Sequence, residues 1–455
     1  MNNILKNQVV LVIGTGISGI SAVELLLKVQ ATPILYDGNE NLNAEDVRKK
    51  LDTDQYVPVY IGDLPEDVEY SVERLVLSPG VPVDHAFVKK FADRSVQIWG
   101  EIELAYAFEQ GHVIAITGTN GKTTTTALTG EIIKASNEPT FVVGNIGSPY
   151  TGEVLNTTPN SITVAEISSF QLETIERFRP TVSAILNITP DHLDRHHSLE
   201  NYIAVKEKIA MNQTANETIV LNYEDEVTRS FGERTKAKVV YFSSARVLQD
   251  GFYLQNDIIY KAVKGVSEAL LNIHDTLLLG THSYENIMAA MAMTDAYGVS
   301  MDTIIEAVKV FHAVEHRIEF VAARRGVDYY NDSKATNVDA AIKGIQAMVK
   351  PTYLIGGGYD KGATYDEWIE AFDGKVKELI LLGKTREAIA DCARAHGFHS
   401  IVVEESLEEA MTHISEKASV GDAVLLSPAC ASWGMFKNYE ERGRIFKALV
   451  NELGE

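Results

Sequence analysis

Only two cysteines occur in 455 residues, Cys392 and Cys430. Two thiols so far apart cannot form a metal–thiolate cluster, and they suit a reducing compartment. Positive charge is scarce as well: 41 Lys and Arg stand against 63 Asp and Glu, a net charge of −22. That balance excludes nucleic-acid and anionic-membrane partners, which need a basic footprint. It leaves room for a small anionic ligand, which needs only a local positive pocket. No run of about 20 uninterrupted apolar residues is present, so a spanning helix is not expected. Lys6 followed by Val9–Ile13 resembles a signal peptide, but Gly14, Gly16 and Gly19 break the run and no small-residue cleavage site follows. A cytoplasmic protein is expected. Internal repeats and low-complexity stretches are absent too.

What is present is ordinary globular composition, 45% hydrophobic and 23% charged. At roughly 150 residues per domain, the length predicts about three domains. Short β-branched runs alternate with amphipathic stretches of helix length, the pattern of α/β folds with parallel sheets. The expected division is 1–100, 101–313 and 314–455. Strands are expected at Val9–Ile13, Ile34–Tyr36, Val113–Ile116, Ile162–Ala165, Val182–Leu186, Ile219–Leu221, Thr352–Ile355, Leu379–Leu382, Ile401–Val403 and Ala423–Leu426. A hairpin, Phe252–Leu254 with Ile258–Tyr260, is expected to turn at Asn256-Asp257. Helices are expected near Tyr284–Tyr297, stopped by Gly298, and near Asp302–Phe311.

Two glycine-rich loops each follow a strand and open a helix. Gly14-Thr-Gly16-Ile-Ser-Gly19 lets the backbone approach a pyrophosphate, and Asp37 ends the next strand where a ribose-binding acid would sit. The alternative is a merely tight turn. Ser78-Pro79-Gly80 is expected on the same sheet edge. Thr117-Gly118-Thr119-Asn120-Gly121-Lys122-Thr123-Thr124 resembles a phosphate-binding loop: backbone N–H groups for phosphates, Lys122 for their charge, Thr123 for Mg²⁺. It is shorter than the usual motif. Two nucleotide loops in one chain disfavour a simple dehydrogenase, which needs only the first.

Other strand ends carry chemistry. Glu166 closes a strand downstream of the phosphate loop, a usual Mg²⁺ position. The run Asn187 to His197 crowds titratable groups into one loop and reads as an active-site loop. A zinc site through His192 and His196 is the alternative, but no third strong ligand appears in sequence. Lys206 lies in a helix-like stretch, where a lysine is normally solvated. Asp332-Ser-Lys334-Ala-Thr336-Asn337, Gly356 to Gly362, and Ser427-Pro-Ala-Cys-Ala-Ser432 each follow a strand, which suggests one ligand-binding edge. Cys430 has no cation or His beside it in sequence, so a buried small residue is expected rather than a nucleophile.

Taken together, these motifs resemble the Mur ligases of peptidoglycan synthesis over nearly the whole chain. The family-wide marks are Gly118 to Thr123, Gly144-Asn145-Ile-Gly147, Glu166-Ile-Ser-Ser169, Asn187 to Asp194, and His316-Arg317. The runs Asp332 to Asn337 and Ser427 to Ser432 point to the D-glutamate-adding branch. The resemblance implies a Rossmann-like N-terminal domain for the UDP-substrate, a central P-loop-type ATPase domain with a mostly parallel sheet, and a C-terminal Rossmann-like α/β domain for the amino acid. It implies ATP, Mg²⁺ at two sites, and the partners UDP-N-acetylmuramoyl-L-alanine and D-glutamate, in a monomer.

Residue roles follow by resemblance. Ile17, Ser18, Asp37 and Gly80 would bind UDP; Asn145 and His192 would contact the muramoyl-alanine portion or the diphosphate. The loop Gly118 to Thr124 would hold ATP, with Lys122, Thr123 and Glu166 serving ATP and Mg²⁺; Asn286, Arg317 and Asp332 would contact its other side. Lys206 matches the family lysine that is carbamylated, a change that turns a cation into an oxygen donor for metal near His192. Lys334, Thr336, Lys361, Ser432 and Tyr439 would hold D-glutamate. Tyr439 stands where family members often have Phe, and Trp433 where a smaller apolar residue is common. Closure of the C-terminal domain during the reaction is expected. The bulk acidity is expected to lie away from Lys122, Arg317, Lys334 and Lys361. The rival readings are a Mur ligase for another amino acid, an NAD-dependent oxidoreductase, and a nucleotide-sensing module without catalysis.

Overall fold

The computed structural model describes residues 4–360 and 362–454. Lys361 therefore lies outside the described residues. The described residues form three sheets, flanked by helices in the α/β manner. The first holds β1 (Val9–Ile13), β2 (Thr32–Asp37), β3 (Val59–Ile61), β4 (Arg74–Leu77) and β5 (Gln97–Gly100), in the order β3-β2-β1-β4-β5, with every pairing parallel. This is the doubly wound order, and its reversal falls between β1 and β4. The glycine loop after β1 and Ser78-Pro79-Gly80 after β4 therefore share the ligand-binding crevice of such sheets. β1 reads as a continuous apolar run because both its faces are covered.

The second sheet holds β6 (His112–Thr117), β7 (Thr140–Gly144), β8 (Ile162–Glu166), β9 (Val182–Ile185), β10 (Thr218–Asn222), β11 (Lys238–Ser243), β12 (Gly251–Gln255), β13 (Ile258–Val263) and β14 (Val266–Asn272). Its order is β14-β13-β12-β11-β10-β9-β6-β8-β7. The pairings from β7 to β12 are parallel, and β12, β13 and β14 continue as an antiparallel meander. The β12–β13 hairpin turns at Asn256 and Asp257, both at positive φ. Two-residue turns that match strand twist need that geometry, and Asn and Asp tolerate it best among residues with a side chain.

The third sheet holds β15 (Glu319–Arg324), β16 (Val327–Asn331), β17 (Thr352–Gly358), β18 (Val376–Gly383), β19 (Ile401–Val403) and β20 (Ala423–Leu426), in the order β15-β16-β20-β17-β18-β19. Only β15 is antiparallel. The sequence reading missed β15, which is half-exposed, charged at both ends and alanine-rich, so it lacks the apolar run of a central strand. It also missed β3, β5, β7 and β14, which are edge strands, and β11, which lies inside the second sheet between β10 and β12.

The chain divides into two compact units, residues 1–273 with 285–309, and 274–284 with 310–455. Within the first, one apolar cluster runs through Val10, Leu26, Trp99, Ile102, Tyr150 and Ile185 and joins the first two sheets. Buried carboxylates reinforce that junction. Glu103 accepts backbone N–H bonds from Glu176, Arg177 and Phe178 at 2.9, 2.8 and 3.1 Å. Glu101 accepts from the Thr151 N–H and hydroxyl at 2.7 and 3.0 Å. Such bonds are what make buried carboxylates tolerable. Among the described residues, no helix is long and apolar enough to cross a membrane.

Candidate active site

In the first unit, the loop Gly118–Gly121 leaves β6 and opens the helix Lys122–Ala135. Helix N-termini favour anions, so the placement suits a phosphate. Gly121 sits at φ +85°, and a Cβ there would come within 2.3 Å of Asn286 Oδ1, so only glycine fits. Asn286 Oδ1 also accepts from Thr125 Oγ1 at 3.2 Å, which sets this side chain against the loop. Asn187 fixes the loop from β9: its Oδ1 accepts from the Asn120 N–H at 2.8 Å and its Nδ2 donates to Asn120 O at 3.1 Å. Thr119 Oγ1 lies 3.1 Å from Tyr202 Oη, and Thr123 and Thr124 are buried in the first helical turn. Lys122 Nζ donates to the carbonyls of Gly118 and Thr119, both at 2.9 Å.

β8 adjoins β6, so its last residue, Glu166, ends beside this loop. Glu166 is 1% exposed; Oε1 accepts from Asn145 Nδ2 at 2.9 Å, while Oε2 is buried with no hydrogen-bond partner among the described residues. A buried orphan carboxylate oxygen is the kind of group a cation satisfies. Lys206 comes to the same place from the helix Leu199–Glu207. It is 1% exposed, its Nζ donates to Gly118 O at 2.8 Å, and it lies 4.8 Å from the centre of the Tyr202 ring. The solvated lysine expected from sequence is thus a buried one. Burial first, then the charge of Lys122, pushes its pKa well below the ordinary value, against the pull of Asp191 and Glu166.

His192 is an exposed residue at positive φ, its ring 4.8 Å from that of Phe170 and its Nε2 3.5 Å from Asp191. His196 instead turns inward, with Nε2 3.0 Å from Ser169 Oγ and Nδ1 3.6 Å from Glu173. Burial lowers its pKa. The two rings serve different partners, which gives no support to a shared zinc ion. Between them, Arg195 donates to Glu173 and to the Val81 carbonyl at 2.9 Å, tying this loop to the turn after β4.

In the first sheet, a Cβ on Gly19 would come within 1.9 Å of Gly14 O, so the helix start packs directly on the loop. Asp37 Oδ2 accepts from the Thr15 N–H and hydroxyl at 3.1 and 2.8 Å. Asp37 therefore braces the loop, in addition to standing at the strand end. Ile17 and Gly80 are exposed at this edge, and Ser18 is half-buried.

In the second unit, β16, β20 and β17 are neighbours, so their three polar turns lie on one edge. Asp332 Oδ2 accepts from Ser427 Oγ at 2.7 Å, and burial raises the Asp332 carboxyl to about 7, against the pull of Ser427 and Arg317. Lys334 lies over the Tyr439 ring, 5.4 Å from its centre, and the Thr336 N–H donates to Lys334 O at 2.8 Å. Ser432 is buried and lines a recess with Gly356, Gly357, Gly358, Pro428 and Arg442. Burial raises the Tyr439 hydroxyl to about 12. Cys430 is buried, as expected, with Sγ 3.4 Å from both Tyr365 Oη and Thr385 Oγ1.

Sequence reasoning passed over Arg442. It is 2% exposed and spans two of the turns: Nε donates to Ser333 Oγ at 3.0 Å, Nη2 to Ser333 O at 2.8 Å and Nη1 to Cys430 O at 3.2 Å. Burial lowers its pKa to about 10, so it stays charged at neutral pH. The signal was available: the buried stripe of the helix Tyr439–Glu452 runs Arg442, Phe446, Val450, and a charge on an apolar stripe is informative. Lys206 follows Tyr202 by four residues in the same way.

Three family models match the chain: the Mur ligase MurD-like N-terminal domain over residues 8–100, the Mur ligase middle domain over 116–294, and the Mur ligase glutamate ligase domain over 316–430. The UDP-N-acetylmuramoylalanine--D-glutamate ligase of Lachnospira eligens is 58% identical over 450 residues, 99% of this chain and 100% of its own. The chain belongs to the Mur ligase family. The Lachnoclostridium phytofermentans protein of the same name is 54% identical, covering 98% of each chain. Among solved structures, the UDP-N-acetylmuramate-alanine ligase MurC of Thermotoga maritima shares the Mur ligase fold at TM-score 0.61 and 20% identity, over 98% of this chain and 99% of its own. The Thermotoga maritima MurF ligase, solved in complex with ADP, does so at TM-score 0.60 and 16% identity, over 99% and 97%.

Proposed function

We propose that this Mur ligase joins D-glutamate to UDP-N-acetylmuramoyl-L-alanine with cleavage of ATP to ADP and phosphate, as a monomer in the cytoplasm, in peptidoglycan precursor synthesis. The observation that carries the amino-acid choice is full-length identity of 58% to a ligase of that name. The first sheet would take the UDP-substrate, through Ile17, Ser18, Asp37 and Gly80. The second would take ATP, and the third D-glutamate. Family membership sets aside the oxidoreductase and the non-catalytic module.

A carboxylate is a poor electrophile. Its oxygen attacks the γ-phosphorus of ATP, ADP leaves, and the resulting acyl phosphate presents a carbonyl to the amine of D-glutamate. Amide formation then expels phosphate. The first step brings a carboxylate up to a polyanion, so cation placement governs it. Lys122 supplies one charge by exchanging its carbonyl partners on Gly118 and Thr119 for phosphate oxygens. Thr123 and Glu166 suit Mg²⁺, whose charge neutralises phosphate oxygens when bound. The orphan Oε2 of Glu166 fits that ion. Asn145 orients Glu166, and with His192 would meet the muramoyl-alanine portion.

Lys206 is proposed to carry a carbamate. Only a neutral amine adds to CO₂, and burial beside Lys122 favours that neutral form. The product would offer oxygens to a second Mg²⁺. Asn286, Arg317 and Asp332 are assigned to ATP on the family resemblance. D-glutamate brings two carboxylates, which Lys334, the hydroxyls of Thr336 and Ser432, and Tyr439 are chemically suited to receive, with Lys361 assigned by resemblance.

Phosphate release with ATP, Mg²⁺, UDP-N-acetylmuramoyl-L-alanine and either D- or L-glutamate tests the reading. Release with the D-isomer alone is expected. Release with lysine or diaminopimelate instead would move the chain to another branch.

A further inference from the structure

Two helices of the second unit each present a pair of metal-ligating side chains four residues apart. The helix Asp366–Glu370 carries Asp366 and Glu370, and the helix Arg386–Ala395 with its C-cap carries Cys392 and His396. Residues four apart share one helix face, and the two faces meet. A carboxylate oxygen of Asp366, Cys392 Sγ and a ring nitrogen of His396 all lie within 4.8 Å of one another. His396 Nε2 lies 2.9 Å from Asp366 Oδ1.

We propose that Asp366, Cys392 and His396 form a binding site for a borderline-soft divalent ion of the Zn²⁺ type. The donor set is one sulfur, one imidazole nitrogen and one carboxylate oxygen, which selects such ions over Mg²⁺ or Ca²⁺. Tetrahedral bonding at about 2.0–2.3 Å separates donor atoms by roughly 3.3–3.7 Å, so side-chain rotation closes the site without backbone movement. Glu370 supplies the independent support. Its Oε1 lies 3.8 Å from His396 Nδ1, on the far side of the ring from Asp366. In the metal-free protein Nε2 carries the ring proton toward Asp366, so metal binding needs that proton moved to Nδ1, where Glu370 would accept it after a small side-chain rotation, the arrangement usual behind metal-bound histidines. On binding, the Cys392 S–H bond breaks, its proton passes to solvent, and the sulfur lone pair forms the bond to metal.

The position gives the ion something to act on. Asp366 follows Tyr365, whose hydroxyl meets Cys430 in the turn after β20. An ion joining the two helices would fix the start of Asp366–Glu370 and hence Tyr365 against that turn.

The test is titration of the full-length protein with Co²⁺ in excess Mg²⁺, followed by the near-ultraviolet thiolate-to-cobalt band. One equivalent is expected to give the band, and Zn²⁺ is expected to remove it. Cys392→Ser should lack the band while keeping ligase activity without added transition metal, which shows that it folds. Glu370→Gln should keep the band but weaken affinity about 10- to 100-fold. Absence of the band in the unaltered protein, or its persistence in Cys392→Ser, would overturn the site.

Discussion

The Lys206 ammonium nitrogen lies 2.8 Å from the carbonyl oxygen of Gly118, so a buried lysine and the phosphate loop are in direct contact. Lys206→Arg keeps a donor and a charge but cannot form a carbamate. Activity should fall roughly 100-fold or more, as when a metal's ligand environment is broken, with the fold intact by circular dichroism. Turnover near that of the parent would sink the carbamate. In CO₂-depleted buffer, the unfolded chain near pH 7 holds a proton on Lys206 to a greater extent than the folded chain does. Stability therefore rises with pH toward the ordinary lysine value of 10.5, from a folded-state pKa well below it. Lys206→Met should flatten that slope and raise Tm at neutral pH while remaining inactive.

Glu166 makes a separable prediction. Glu166→Gln can keep the bond from Asn145 Nδ2 while removing the charge of a carboxylate whose second oxygen is orphaned. The Mg²⁺ concentration for half-maximal rate should rise about 10- to 100-fold. Thermal stability should hold or improve, because a buried charge without full compensation has been deleted. An unchanged Mg²⁺ profile would remove Glu166 from cation binding.

These two residues differ in how far sequence exposes them. Glu166 ends an apolar strand two residues before a serine pair, and the break from β-branched run to acid is visible by eye. Strand ends were legible generally, because central parallel strands are apolar throughout and stop where the chain turns polar. Lys206 was not, because its burial depends on Tyr202 and on the loop 88 residues earlier in the chain, not on its neighbours. The bond from Ser427 to Asp332 spans 95 residues. The pattern placed both on one sheet edge, but the atom pairing depends on β20 lying between β16 and β17, which no local pattern states. The edge strand β15 escaped because an exposed strand need not be apolar.

Asp332 links that edge to pH. Its pKa is raised from 3.8 to about 7 by burial, so the folded state binds a proton more tightly than the unfolded chain. Its contribution to stability is fully present below pH 3.8 and is lost as pH rises to about 7. The loss amounts to roughly 4 kcal/mol at most, from about 1.4 kcal/mol for each pH interval of one between the two values. Asp332→Asn should therefore raise stability at pH 8 relative to the parent and lose that advantage toward pH 4, read by urea unfolding at both. An equal difference at the two pH values would show that Asp332 titrates normally. Activity should fall in the variant at every pH, since the amide cannot supply the carboxylate proposed for the ATP side.

Arg442 offers the sharpest separation of affinity from rate. Its guanidinium joins Ser333 in the turn after β16 to Cys430 in the turn after β20, through three donors in a fixed plane. Those turns also carry Lys334 and Ser432, proposed for the two carboxylates of D-glutamate. With its donors committed to Ser333 and Cys430, Arg442 is proposed to act by positioning Lys334 and Ser432. Lysine in its place keeps one charge but cannot make three bonds in that geometry, so at least one buried carbonyl loses its partner. Leaving such a group unsatisfied costs about 1–3 kcal/mol. If the recess loosens by that amount, KM for D-glutamate in Arg442→Lys should rise roughly 10-fold or more, at about 1.4 kcal/mol per factor of ten. KM for ATP should stay within about twofold, and kcat should change less than KM for the amino acid. A uniform loss across both substrates would mean that Arg442 supports only the fold. A selective loss with D-glutamate would tie the Ser333–Cys430 bridge to recognition of the amino acid.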